Sequence, residues 1–199
     1  MISGKTFYAL RRLVENSGTM TAPDSNARHF ASVVLPVFEK NSILHILAIL
    51  KADNGGYPWS NQVALPGGHI DKTDTNALFA GLRELKEELG ITPPHIIPVG
   101  SMGHFQTILN TDIEVFVATW DAYDDEVAFD RKEISEIFHI PLPELADHHA
   151  SAGFSGRIPP IDELIYPFQG LEIWGVTARI LHFFIEGLLP DFFQTPNAS

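Results

Sequence analysis

The stretch that decides the fold is Leu65–Ile91, LPGGHIDKTDTNALFAGLRELKEELGI. Its second half reads as a helix. Leu78, Leu82, Leu85 and Leu89 recur at spacings of four, three and four, which makes one buried stripe. Asp74 is placed to cap a helix starting near Thr75, and Gly90 stands where a left-handed residue closes a helix. Arg83, Glu84, Glu87 and Glu88 are expected on the opposite, exposed face. Like charges three and four residues apart repel by a few tenths of a kcal/mol per pair. A hard divalent cation would reverse that sign, because Mg²⁺ takes oxygen ligands and keeps part of its water shell for phosphate oxygens. A solvated helix face is the ordinary reading of RELKEE taken alone. The preceding Pro66-Gly67-Gly68 favours the cation, since glycine backbone can approach a metal or phosphate without side-chain obstruction. An EF-hand is excluded, because counting from Asp71 the sixth position is Asn76 and the twelfth Leu82.

Composition limits what surrounds this helix. With 199 residues and 45% apolar content the chain can bury a full core. A net charge of −12 argues against a nucleic-acid polymer as partner, since phosphate backbones are bound by lysine and arginine clusters. With zero cysteines there is neither a disulfide framework nor a thiolate nucleophile. No apolar run reaches the ~20 residues of a membrane span, and Arg11 and Arg12 follow the first apolar residues instead of preceding a long block. The expected location is cytoplasmic, with no membrane partner.

Working outward, MISGKTFYALRRLVENS is an amphipathic helix with Phe7, Leu10, Leu13 and Val14 on one side. FASVVLPVFEK and SILHILAIL read as paired strands around a turn at Lys40-Asn41-Ser42. KADNGGYPWSN is a loop and QVAL a brief strand. IIPVGSMGHFQTIL and TDIEVFVATW are strand-like, and an acidic loop then leads into a short strand or helix ending at PLPEL. DHHASAGFSGRIPPIDELIYPFQG reads as a surface excursion, and IWGVTARILHFFIEGLL as a closing helix. Strands on both sides of one central helix give an α/β or α+β sandwich.

The central stretch resembles a Nudix box, the loop-helix-loop signature of the Nudix hydrolases. Fourteen residues separate Gly68 from Arg83, one more than in the usual box. That spacing, with Asp71 and Asp74, is similar to the branch typified by coenzyme A pyrophosphatases. Lys132–Leu145 and Ile173–Leu181 resemble two further segments of that branch. The loop before the glycines departs from it: Gln62, Val63, Pro66, Gly67 and Gly68 match, but Tyr57, Trp59 and Asn61 stand where arginine, histidine and glycine would be.

The resemblance implies a Nudix fold, a mixed β-sheet sandwiched between α-helices, over residues 31–190. Residues 1–30 would form an N-terminal helix and lead-in, and 191–199 a tail. It implies Mg²⁺-dependent hydrolysis, with Mn²⁺ as a substitute, of a nucleoside diphosphate linked to another moiety of the coenzyme A, ADP-ribose or nucleotide-sugar type. Glu84, Glu87 and Glu88 would hold the metal with the carbonyl of Gly68, and Arg83 would orient the carboxylates through Asp74 or Glu87. Glu87 or Glu133 would be the general base, with a solvated carboxylate the equal alternative for Glu133. Tyr57 and Trp59 would stack a nucleobase or pack beneath the loop, and His69 would touch substrate. Arg157 would close over a phosphate or lie idle on the surface. A histidine-bound zinc site is disfavoured by spacing. Phe183, Phe184, Phe192 and Phe193 are explained by core packing or a homodimer contact. The alternative function is a non-catalytic nucleotide-binding sensor, a class whose boxes usually lose a carboxylate; here none is lost.

Overall fold

Helix α1 (Gly4–Ser17) lies against the sheet as a brace. Thr6, Ala9, Leu10 and Leu13 are its buried residues, whereas Phe7, expected among them, is 38% exposed. Thr6 and Ala9 take the inward positions, leaving Phe7 on the flank of the stripe. The structure is a computed structural model that describes residues 2–17, 27, 29–55, 59–121 and 127–192.

Strand β1 (His29–Lys40) runs through the middle of the main sheet. It pairs antiparallel with β2 (Ile43–Lys51) through a two-residue turn in which Asn41 and Ser42 have φ of 51° and 61°. Turns with positive φ at both positions match the twist of the strands they join, so the short polar pair Asn-Ser sets the register. Strands β3 (Val63–Ala64) and β4 (Gly67–His69) pair antiparallel with β2 and β1 respectively. Helix α2 (Ala77–Leu89) follows. Then β5 (Ile96–Gln106) and β6 (Thr111–Trp120) form an antiparallel pair, and β6 lies parallel to β1 from His29↔Thr111 to Val37↔Thr119. Strand β7 (Ile134–Pro141) pairs antiparallel with β2 and leads into α3 (Leu142–Ser151). The hairpin β8 (Tyr166–Phe168) and β9 (Leu171–Ile173) precedes the last helix, α4 (Gly175–Phe192).

The mixed seven-stranded sheet separates two cores. Along β1, Val34 and Phe38 face α2 with Leu47, Ile49, Ala118 and Trp120, while Leu35 and Val37 face α1, α3 and α4. This is the period-two alternation of strands covered on both faces. The sandwich expected from sequence is therefore the fold observed. Among the described residues, no helix is long and apolar enough to cross a membrane.

Three local expectations are corrected. The N-cap of α2 is Asn76, whose side chain accepts from Phe79 N at 2.9 Å, and not Asp74, whose carboxylate is taken by Arg83. Glu88 is not on the exposed face: it is 2% exposed and bonds to Lys51 and Gly67, one position before the buried Leu89. His148 and His149, read as part of a surface excursion, lie inside α3. Gly90 closes α2 with φ 65° as expected. Phe184 belongs to the core and Phe183 and Phe192 pack on it; Phe193 lies outside the described residues.

Candidate active site

Helix α2 presents its acidic side to the β4 strand, whose Gly67, Gly68 and His69 line a cavity. Arg83 is the hub. Its Nε and Nη2 donate to the two oxygens of Asp74 at 3.1 and 3.0 Å, a bidentate pair. Its Nη1 donates to Glu84 Oε1 at 2.9 Å and Glu87 Oε2 at 3.0 Å, and Nη2 also donates to the carbonyl of His69 at 3.1 Å. Asp74 additionally accepts from Asp71 N at 2.8 Å. The guanidinium hydrogen bond, followed by these lesser effects, holds the Asp74 carboxyl below its usual range against a desolvation that opposes it. Arg83 thus ties the loop 69–74 to the helix and bonds to both Glu84 and Glu87.

Glu84 lies on the backbone of the diglycine. A Cβ added at Gly68 would stand 2.5 Å from Glu84 Oε1 and 2.6 Å from its Cδ, so this position admits no side chain without moving the carboxylate. Glu88 approaches the same turn from the buried side: its Oε2 accepts from Gly67 N at 2.9 Å, and its Oε1 receives the ammonium of Lys51 at 2.6 Å. Burial pushes the Glu88 carboxyl up; Lys51 and the Gly67 amide pull it back, and Glu84 nearby adds to the upward push. Lys51, at the end of β2, was not foreseen from sequence. The available signal was a single charge closing an apolar strand, ILHILAILK.

The donor chemistry suits a hard divalent cation. All the side-chain donors are carboxylate oxygens, and among the described residues Glu84 Oε2 and Glu87 Oε1 carry no hydrogen bond. Yet among these residues no three acidic or imidazole side chains are already gathered into a cage. The reason is visible in the bonds: Arg83 shares Glu84 and Glu87, and Lys51 occupies Glu88.

Beside this cluster opens a cavity of about 530 Å³. Lys51, Gly67, Gly68 and His69 form its acidic-helix end, and Trp59, Ile108, Leu109, Ile161 and Trp174 lie along its walls. Ile108 and Trp174 are 80% and 45% exposed, which leaves apolar surface available to a ligand. Trp59 and His69, expected to stack a base and to touch substrate, both line the cavity. Trp174, missed as a site residue, joins them from the turn before α4. Glu133 is exposed on the turn before β7, its carbonyl accepting from Ala52 N at 2.8 Å, and Arg157 bonds to the carbonyl of Gly153 at 2.7 Å and reaches Glu163; neither is part of the cavity wall. Tyr57 lies outside the described residues.

Comparisons with known proteins place the chain in a family and give its fold. The model of the NUDIX domain matches residues 27–158. A probable Nudix hydrolase of Schizosaccharomyces pombe is 23% identical over 178 residues, covering 85% of this chain and 59% of the relative. The chain thus spans little more than half of that protein. An uncharacterized Nudix hydrolase, NudL, of Salmonella paratyphi B is 29% identical over 182 residues, 81% of this chain and 83% of the relative. Among solved structures, a mutT/nudix family protein from Listeria innocua superposes with a TM-score of 0.53 at 20% identity, covering 85% of this chain and 99% of its own. One from Enterococcus faecalis gives 0.54 at 13% identity, covering 97% and 81%. With its box, its sheet and its helices all accounted for, the chain belongs to the Nudix hydrolases, a family that acts on phosphorus-containing anhydrides.

Proposed function

We propose that this protein is a Mg²⁺-dependent pyrophosphohydrolase that cleaves a nucleoside diphosphate linked to a second moiety. The observation that carries this reading is Glu84 against Gly68 and Glu88 against Gly67, with Glu87 joined to Glu84 through Arg83, where the diglycine lines a cavity of about 530 Å³. Glu84 and Glu87 offer free carboxylate oxygens, Glu88 lies behind them, and the Gly68 carbonyl is the expected fourth donor. Mg²⁺ bound there would neutralise the diphosphate and lower the pKa of a bound water.

The chain supplies the rest. Arg83 keeps Glu84 and Glu87 at fixed separation, so a ligand held between them meets a prearranged set of acceptors. Glu87, 59% exposed and one bond from Arg83, is placed to take a proton from an attacking water. Glu133, one residue beyond Lys132 on the turn that bonds to Ala52, is the second candidate for that proton. Trp59 and Trp174 provide aromatic faces for a base or for the leaving group, and His69 borders the diphosphate end. The apolar walls suit a substrate whose second moiety carries apolar surface.

The test is a phosphate-release screen with Mg²⁺ across coenzyme A, ADP-ribose, nucleotide sugars and nucleoside triphosphates, coupled to a phosphatase that hydrolyses the phosphomonoester products or to a pyrophosphatase for the triphosphates, and run beside Glu87→Gln. Turnover by the wild type and loss of it in the variant is expected. Equal turnover by both would remove Glu87 from the mechanism. Silence on every compound, with nucleotide binding retained, would favour the sensor.

A further inference from the structure

Lys51 has no assigned part in the chemistry above, yet it makes the shortest ion pair in the site. Its ammonium sits 2.6 Å from Glu88 Oε1, with the two side chains 16% and 2% exposed. Its backbone is held at both polar groups by one neighbouring segment, its N–H donating to Gln62 O at 3.0 Å and its carbonyl accepting from Asn61 N at 3.1 Å. The register of β2 against β7 shifts between Leu50 and Lys51. Such irregularities re-aim a side chain. Here the side chain crosses from the strand end to α2 while also bordering the cavity.

Glu88 itself has little room to move, because its other oxygen is held by Gly67 N at 2.9 Å. A divalent cation taking Glu88 would therefore meet Lys51 at the same carboxylate. Two cations within a few ångströms in a poorly hydrated pocket repel strongly. The flexible four-carbon stem of lysine makes it the partner that yields.

We infer that Lys51 is a resident counter-ion that competes with the divalent cation for Glu88, holding this carboxylate in place until the metal arrives and then releasing its ammonium toward the cavity. This rests on the proposed metal-dependent reading of the site. Lys51 is a positioning residue in this scheme. It keeps a buried carboxylate oriented, and it lowers the affinity of the substrate-free protein for metal.

The test is Mn²⁺ binding to the substrate-free protein, followed by electron paramagnetic resonance, for wild type, Lys51→Met, Lys51→Gln and Lys51→Arg, with folding checked by circular dichroism. Lys51→Met should bind on the order of tenfold more tightly, since removing one nearby charge is worth at least that much. Lys51→Gln should move part of the way, and Lys51→Arg should stay as weak as the wild type. A merely structural lysine would not produce tightening. Unchanged or weaker binding in both Met and Gln overturns the inference. If neither variant folds, the ¹⁵N resonance of the Lys51 ammonium in the wild type decides: a shift on Mg²⁺ saturation is expected, and an unmoved signal refutes the exchange. No metal uptake by any of the proteins would overturn this inference together with the functional reading, whereas equal uptake by all overturns this inference alone.

Discussion

Around Arg83, Asp71, Asp74, Glu84 and Glu87 lie within 4 Å of one guanidinium. Around His149, by contrast, both ring nitrogens have a partner. A carboxylate only accepts, so His149 Nε2–H donates to Glu186 Oε1 at 2.8 Å, leaving Nδ1 to accept the Tyr166 hydroxyl at 2.8 Å. Glu186 is completed by the N–H of Gly156, which reaches both of its oxygens. Burial, and then Glu186, push the Tyr166 hydroxyl up, so it remains a donor. Both clusters contain glutamate and a cationic or titratable partner, and both tie a loop to a helix. One centres on a ring with no exposure, and the other carries an excess of acceptors around a single guanidinium beside a cavity. A fully paired network contributes rigidity, while surplus acceptors are a standing demand for a cation.

The contrast can be broken by mutation. Glu87→Gln should lower turnover by ~10²–10⁴-fold, as for loss of a general base, and leave thermal stability nearly unchanged because exposed ion pairs contribute little. A fall in stability without loss of turnover would reverse the roles assigned to the two clusters. His149→Ala should do the opposite, costing ~2–4 kcal/mol in denaturant unfolding through a cavity and stranded partners while kcat stays near normal. Equal stability of that variant would show the ring to be ornamental. Gly68→Ala should reduce turnover by roughly tenfold with a small stability change, since the added methyl displaces only the end of Glu84, and a misplaced group near reacting atoms is costly. Unaltered turnover would mean that Glu84 need not rest on the glycine.

The smallest effect concerns acid. The Asp74 carboxyl is held below its unfolded value of 3.8, chiefly by Arg83, so its contribution to stability is present above that pH and is lost as pH falls through the depressed folded value. Glu88 runs the other way: its raised folded value gives a contribution present below 4.5 and lost as pH rises through that folded value. The stability difference between wild type and Asp74→Asn should therefore shrink on acidification below pH 3.8, as followed by thermal unfolding. A constant difference would show that the carboxylate charge is immaterial.

What could be read in the sequence was local. Leu85, Leu89 and Gly90 declare the helix because their signals lie within one or two turns of each other, and the strands declare themselves by apolar, β-branched runs. What could not be read depends on partners far along the chain. Asp74 was expected to cap α2 because its type and place fit, but Arg83, nine residues on, claims its carboxylate and hands the cap to Asn76. Helical spacing put Glu88 beside Glu84; it could not say that Lys51, from a strand 37 residues earlier, draws it inward. Trp174 and Ile108 meet at one cavity only because the sheet brings the β5–β6 turn near the start of α4.

The parallel pairing of β1 with β6 also imposes an order on synthesis. Val37–Lys40 can form its hairpin with β2 early, but the edge of His29–Val37 that receives β6 stays bare until Thr111–Thr119 has left the ribosome. At ~5–20 residues per second this leaves an unprotected apolar strand for several seconds. A nascent chain of this protein is therefore most vulnerable to aggregation, and most in need of a chaperone, while its box is already made but its sheet is not.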